Sequence, residues 1–187
     1  MPGPAVIYVV ARTLAEGRAA GLWASLGVHL GGYVHVFAAV AGLSILLHAI
    51  PLLYTALKLV GAAYLVWIGI ALIRTRSTSA SVSMLQSERR SFWQSALVEV
   101  LNPKAALFYL AFLPQFTTTD AGLSIPLQLL ALGIIVNLAF SLADVFYVLA
   151  ADGLHRRLAR SGAVLWVQRT GGAILVALGF NLALSRT

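Results

Sequence analysis

Residues 97–116 read LVEVLNPKAALFYLAFLPQF, an apolar run long enough to cross a bilayer yet interrupted at Asn102-Pro103-Lys104. Proline lacks a backbone N–H and clashes with the preceding turn, so a break here frees carbonyls that hydrocarbon cannot satisfy. Such carbonyls are tolerated at membrane depth where they line a cavity. Working outward, a second break stands at the head of the other half of the chain, in Pro2-Gly3-Pro4. Interruptions at corresponding places in two halves point to a transport site between repeated units near the bilayer midplane.

The composition agrees. The 187 residues are 60% hydrophobic and 10% charged, with a mean hydropathy of +0.89, which leaves too little charge for the surface of a soluble domain of this size. There is no cysteine, hence no disulfide framework and no thiolate metal site. The formal charge of +7 lies mostly in short loops between apolar runs, a distribution that sets membrane orientation and argues against nucleic-acid binding. The first residues carry no basic region and no small-residue cleavage site of a secretory signal.

At ~1.5 Å per residue and ~30 Å of hydrocarbon, five runs are long enough to span: roughly 20–47, 50–73, 94–116, 122–151 and 162–184. Residues 1–11 form a sixth, truncated one of ~17 Å that ends before Arg12. The first loop is then Arg12, Glu16, Gly17 and Arg18, the join at His48-Ala49-Ile50-Pro51 is tight, and 74–93 is a solvated Ser- and Thr-rich linker. The expected fold is an all-α integral membrane protein of about six helices, the first truncated. It forms one transporter domain over 1–187, with a first half at 1–73, a cytoplasmic linker at 74–93 and a second half at 94–187.

Nine basic residues fall in the first, third and fifth loops, against Arg186 alone on the other side. Those three loops are therefore expected in the cytoplasm and both termini outside. Three helices per half also give the halves opposed orientations, so the repeat is inverted.

Measured inward from the cytoplasmic ends, Pro4, Lys104, Asp144 and Arg169 all come out ~12–15 Å deep. An ionisable group near the midplane is a functional-site candidate. Pro2, Gly3, Pro4, Asn102, Pro103, Lys104 and Arg169 are thus expected to border a common central cavity and bind substrate there. Asn137, Ser141 and Asp144 recur at i, i+4 and i+7, one narrow face that Val148 ends, with Tyr147 pointing ~80° away. Asp144 is either a proton-coupling carboxylate or an ion-pair partner of Lys104 or Arg169. Glu99 is a second proton-coupling candidate, shallow enough at ~7 Å to be hydrated instead.

Lys58 lies on the outer half of its span, where it either snorkels or belongs to a packed face with Gly61, Leu65 and Gly69. Gly27 and Gly31 form GxxxG, suited to close helix packing within the monomer. His29 and His35 are six apart, ~240° around a helix, so they make no i, i+4 metal pair and are expected as satisfied core residues. No metal site, cofactor site or enzyme motif is present, and without an ATP-binding loop any pumping must use an ion gradient.

In order, PGP, a glycine-bearing second helix, LKLVGAAYLVWIGIALI (57–73), LNPKAALFYLAFLPQF (101–116) and RTGGAILVALGFNLAL (169–184) resemble the lysine exporter (LysE/RhtB-type) family of amino-acid efflux proteins. The resemblance covers nearly the whole chain. It implies a multi-pass carrier of the bacterial inner (plasma) membrane that exports amino acids or related small metabolites, with a proton as the coupled ion and the lipid bilayer as its surroundings. The family pattern falls on Pro2, Gly3, Pro4, Lys58, Gly61, Tyr64, Gly69, Asn102, Pro103, Lys104, Pro114, Gln115 and Phe116. Two departures stand out. The family carries a dozen or more apolar residues before PGP where Met1 abuts Pro2 here, and Ala5 stands where an acidic or amide residue is frequent. The first implies a misassigned start or a trimmed chain. The expected mechanism is alternating access of one three-helix unit against the other. Rival readings are a passive channel, a non-transporting membrane scaffold and an inactive truncated carrier, and a homo-oligomer is compatible with any of them.

Overall fold

The computed structural model describes residues 3–42, 51–74, 84–160 and 164–185. Pro2, Arg76, Arg186 and the tight join at residues 48–50 lie outside them. Seven α-helices and no strand are found among the described residues: α1 (Pro4–Glu16), α2 (Arg18–Val40), α3 (Pro51–Arg74), α4 (Met84–Val100), α5 (Pro103–Leu107), α6 (Ile125–Arg160) and α7 (Val164–Leu184). Between α5 and α6 the chain winds as a π-helical turn, Phe108–Phe112, and then a 3₁₀ turn, Leu113–Phe116.

By length and apolarity, three helices among the described residues can cross a membrane, Arg18–Val40, Thr55–Arg74 and Ile125–His155. The pair Glu88–Val100 and Pro103–Phe116, bent by 52° at the Asn102 break, passes the same test when its two helices are taken together, as a broken span or a re-entrant loop. The outer surface is correspondingly apolar, with Trp67, Leu142, Phe146 and Trp166 all exposed.

Three boundaries differ from the sequence expectation, the last of them at α6, which runs to Arg160 and not to 151. α1 does not stop at residue 11; it runs to Glu16, and the first loop shrinks to Gly17. Arg12 extends the helix because its charge is neutralised inside the protein, as described below. Gly17 sits at φ 88, a conformation that side-chain-bearing residues rarely adopt, so glycine is what lets α1 and α2 join through a single residue. The second difference is the linker: its C-terminal part, from Met84, is already helical and forms the first turns of α4. Apolar length locates the span, whereas helix propensity and packing carry a helix past it into polar sequence.

Glycines set the helix contacts. A Cβ on Gly27 would fall 2.1 Å from the Phe92 carbonyl oxygen, and one on Gly31 2.7 Å from that of Ala96, so the GxxxG stripe brings the α2 backbone directly onto α4 within the monomer. α3 meets α7 reciprocally: a Cβ on Gly69 would lie 2.6 Å from Gly172 O, and one on Gly172 2.5 Å from Gly69 O. Tyr8, Val9, Ala24, Val28, Leu65, Val98, Val148 and Leu175 fill the apolar centre where these pairs converge.

Candidate functional site

The break after α4 is built from local chemistry. Asn102 is the N-cap of α5 and its Oδ1 accepts the Lys104 backbone N–H at 3.1 Å, while Pro103 occupies the first helical turn, where a missing N–H costs nothing. The Asn102 amide then turns back to donate to Glu99 Oε2 at 3.0 Å. One side chain thus restarts a helix and anchors a buried carboxylate. Pro4 plays the parallel part at α1, beginning that helix behind Gly3.

The two breaks meet. A cavity of about 490 Å³ is bordered by Gly3, Ala5 and Val6 from the first break and by Asn102, Lys104 and Ala105 from the second. A Cβ on Gly3 would lie only 3.7 Å from Lys104 Cδ. Glu99 of α4 and Asp144 of α6 complete the polar side, and Val28, Phe108, Tyr109 and Phe140 supply apolar wall. The volume is that of a small-molecule site, and a few convergent polar groups among aromatic walls suit a ligand with charged and apolar ends.

Among the expected site residues, Gly3, Asn102, Lys104, Glu99 and Asp144 are brought together here. Pro4 and Pro103 shape the adjoining helix starts. Ser141 is half-buried on the same α6 face, and Asn137, one turn further on, is buried against α2. Arg169 is exposed on α7 and borders neither this cavity nor a second one of about 410 Å³ among α1, α6 and α7. Spacing measured from a helix end gives depth but not azimuth, so a residue at the right level can face outward.

Several surroundings differ from expectation. The ionisable neighbour of Asp144 is neither Lys104 nor Arg169 but His29 of α2, whose Nε2 lies 3.4 Å from Asp144 Oδ2. His29 is therefore not a satisfied core histidine: its Nε2 is buried without a hydrogen bond. His35 does fit that description, with Nε2 2.9 Å from the Glu99 carbonyl oxygen and its ring stacked on Tyr109. Glu99 is not shallow on its helix: α4 starts at Met84, and Glu99 is buried near its far end, bordering the cavity. Lys58 does not snorkel: it is buried and donates to the Ser185 carbonyl oxygen at 2.7 Å, just past the end of α7, where a cation complements the free carbonyls. Gly61, on the same face, receives the Leu101 carbonyl, so the packed-face alternative holds there. Tyr147 lines both cavities and, with Val6, divides them.

His29, beside Asp144, and the wall residues Phe108, Tyr109, Phe140 and Tyr147 were missed by pattern reading. The signal for His29 was available in part: an ionisable residue inside an apolar helix. Among the described residues, no three His, Asp or Glu side chains are arranged to hold a metal ion.

A second buried polar group lies further along α1, towards its C-terminal end. Arg12 Nε donates to Tyr8 Oη at 3.0 Å, Arg12 Nη2 to Gln94 Oε1 at 2.8 Å, and Arg12 also pairs with Glu16. Tyr8 adds its own hydrogen bond to Gln94 at 3.0 Å. This cluster ties α1 to α4 and explains why Arg12 continues the helix.

Residues 1–186 match the LysE type translocator family. The chain is 33% identical to an uncharacterized membrane protein of Pseudomonas aeruginosa, over 98% of this chain and 88% of that protein. It is 31% identical to the uncharacterized membrane protein YrhP of Bacillus subtilis, over 99% of this chain and 92% of that one. The leucine efflux protein of Salmonella typhimurium is 28% identical over 87% of this chain and 80% of its own length. No solved structure matches. With a family match along almost its whole length and a cavity formed where its two helix breaks meet, this chain is a membrane protein belonging to the LysE type translocator family.

Proposed function

We propose that this chain exports an amino acid with an apolar side chain by proton-coupled alternating access. The observation that carries the reading is the cavity shared by the two breaks, lined by Lys104, two carboxylates and aromatic rings. A zwitterion needs partners of both signs: the Lys104 ammonium suits its carboxylate, and Asp144 suits its ammonium. Phe108, Tyr109 and Phe140 suit an apolar side chain. The leucine efflux relatives fit such a substrate.

The architecture behind this is six spans in two inverted three-helix units, in the bacterial inner membrane, with the first, third and fifth loops in the cytoplasm. In that architecture α3 and α7 are the last helices of the two halves, and they pack closely where Gly69 and Gly172 meet. Lys104, Asn102 and Glu99 belong to the second unit, and Gly3 and Ala5 to the first, so movement of one unit against the other opens and closes the cavity.

Counterflow in proteoliposomes tests the function. Vesicles loaded with unlabelled leucine should accumulate labelled leucine saturably, and an imposed pH gradient should drive net flux. Flux without saturation or counterflow indicates a pore, and absence of exchange by folded protein removes the carrier reading. Orientation can be tested separately. The chain has no cysteine, so single replacements Arg89→Cys and Thr119→Cys should be labelled from the cytoplasmic and outer sides respectively. Labelling of both from one side would overturn the orientation.

A further inference from the structure

We infer that His29 and Asp144 form a one-proton dyad and that this pair, not Asp144 alone, is the coupling site; the inference rests on the proposed proton-coupled export. It starts from Asn137. The Asn137 Nδ2 donates to the His29 carbonyl oxygen at 3.1 Å, which orients the amide and turns its Oδ1 toward His29 Nδ1, 3.1 Å away. Oδ1 can only accept, so Nδ1 must carry a hydrogen. In a neutral ring that places the lone pair on Nε2, the atom that lies 3.4 Å from Asp144 Oδ2 and has no hydrogen bond.

A lone pair buried against a carboxylate oxygen is repulsive in low dielectric. One proton relieves it, whether on Nε2 as imidazolium facing carboxylate or on Oδ2 as carboxylic acid facing imidazole. Either way the pair is neutral overall and holds a single proton. His29 and Asp144 are both at least nine-tenths buried, and Asp144 borders the cavity while His29 stands behind it. Of the helices packed around them, α4 brings Glu99, within electrostatic range of both, α5 brings Lys104, and α1 brings only Gly3, Ala5 and Val6 to the cavity.

Exchange follows from mutually exclusive occupancy. A substrate ammonium arriving at Asp144 supplies the positive charge that the proton had supplied; the proton leaves to water on the side where the substrate entered. When the substrate departs on the other side, the exposed lone pair and carboxylate take a proton from the water there. One substrate moves one way and one proton the other. His29 is thus a positioning residue that makes the empty, unprotonated pair unfavourable, and Asn137 fixes its tautomer.

Two measurements on the full-length protein test the dyad. In the first, leucine affinity of the wild type is followed against pH; it should weaken on acidification, by at most about tenfold per pH unit, as one competing proton requires. His29→Gln should flatten that dependence and cut pH-driven flux about tenfold or more. If the wild type exchanges leucine and is driven by a pH gradient, but His29→Gln keeps both the slope and the driven flux, the dyad is wrong while export stands. If the wild type shows neither exchange nor driven flux, the export reading fails and the coupling role with it. The second measurement is nitrogen NMR of ¹⁵N-histidine-labelled protein, assigned with His29→Gln. His29 should carry hydrogen on Nδ1 throughout, with Nε2 alone responding to pH, and Asp144→Asn should hold Nε2 as a neutral acceptor. Hydrogen on Nε2 in a neutral ring would overturn the tautomer argument.

Discussion

Two of the buried polar clusters among the described residues are built oppositely. Around Arg12, every charge and hydroxyl has a partner: Tyr8, Glu16 and Gln94 close on the guanidinium, and the ring of Tyr8 lies 5.6 Å from it. Around Asp144, the groups surround a cavity, and the nearest ring nitrogen is left without a hydrogen bond. Burial of charge costs the same in both places, so satisfaction distinguishes them. A closed network is a fastening between α1 and α4, whereas an incompletely satisfied one has capacity left for a ligand.

This contrast can be broken most forcefully at the fastening. Arg12→Ala takes a buried guanidinium away from Tyr8, Gln94 and the partly exposed Glu16, and should lower stability by about 1.5–3 kcal/mol. Thermal unfolding in detergent reads this directly, and an unchanged midpoint would show that the cluster holds nothing together. At the cavity the expectation reverses. Asp144→Asn is isosteric and should leave the unfolding midpoint within a few degrees while reducing pH-driven flux about a hundredfold. A large loss of stability with proportionate loss of flux would make Asp144 a structural residue like Arg12.

Smaller effects sharpen the picture. Lys104→Ala should raise the KM for an amino acid about tenfold, the loss of one charge-assisted hydrogen bond, and should spare transport of an analogue lacking the carboxylate. Equal weakening for both compounds would detach Lys104 from carboxylate recognition. Tyr147→Phe should change flux by less than about twofold, because the ring that separates the two cavities is kept. A larger change would assign work to the hydroxyl itself.

Much of this was legible in the chain. The Asn102-Pro103-Lys104 break needs only the covalent chemistry of proline and an N-cap, and Gly27 and Gly31 announce close packing by their spacing. Asn137 and Asp144 showed their common face through helical periodicity. Arg12 did not: as a charge after an apolar run it reads as a loop residue, and only Tyr8, Glu16 and the distant Gln94 make it part of a helix. Arg169 was placed by depth alone, and its azimuth turned it outward.

The sequence by itself determined what is local: apolar length, helix breaks, small-residue stripes and the face of α6 that carries charge. These follow from backbone chemistry and a period of ~3.6 residues. Only the tertiary structure decided which helix answers each face. His29 is separated from Asn137 by 108 positions and from Asp144 by a comparable distance along the chain. No periodicity spans such an interval, so their meeting depends on the packing of α2 against α6.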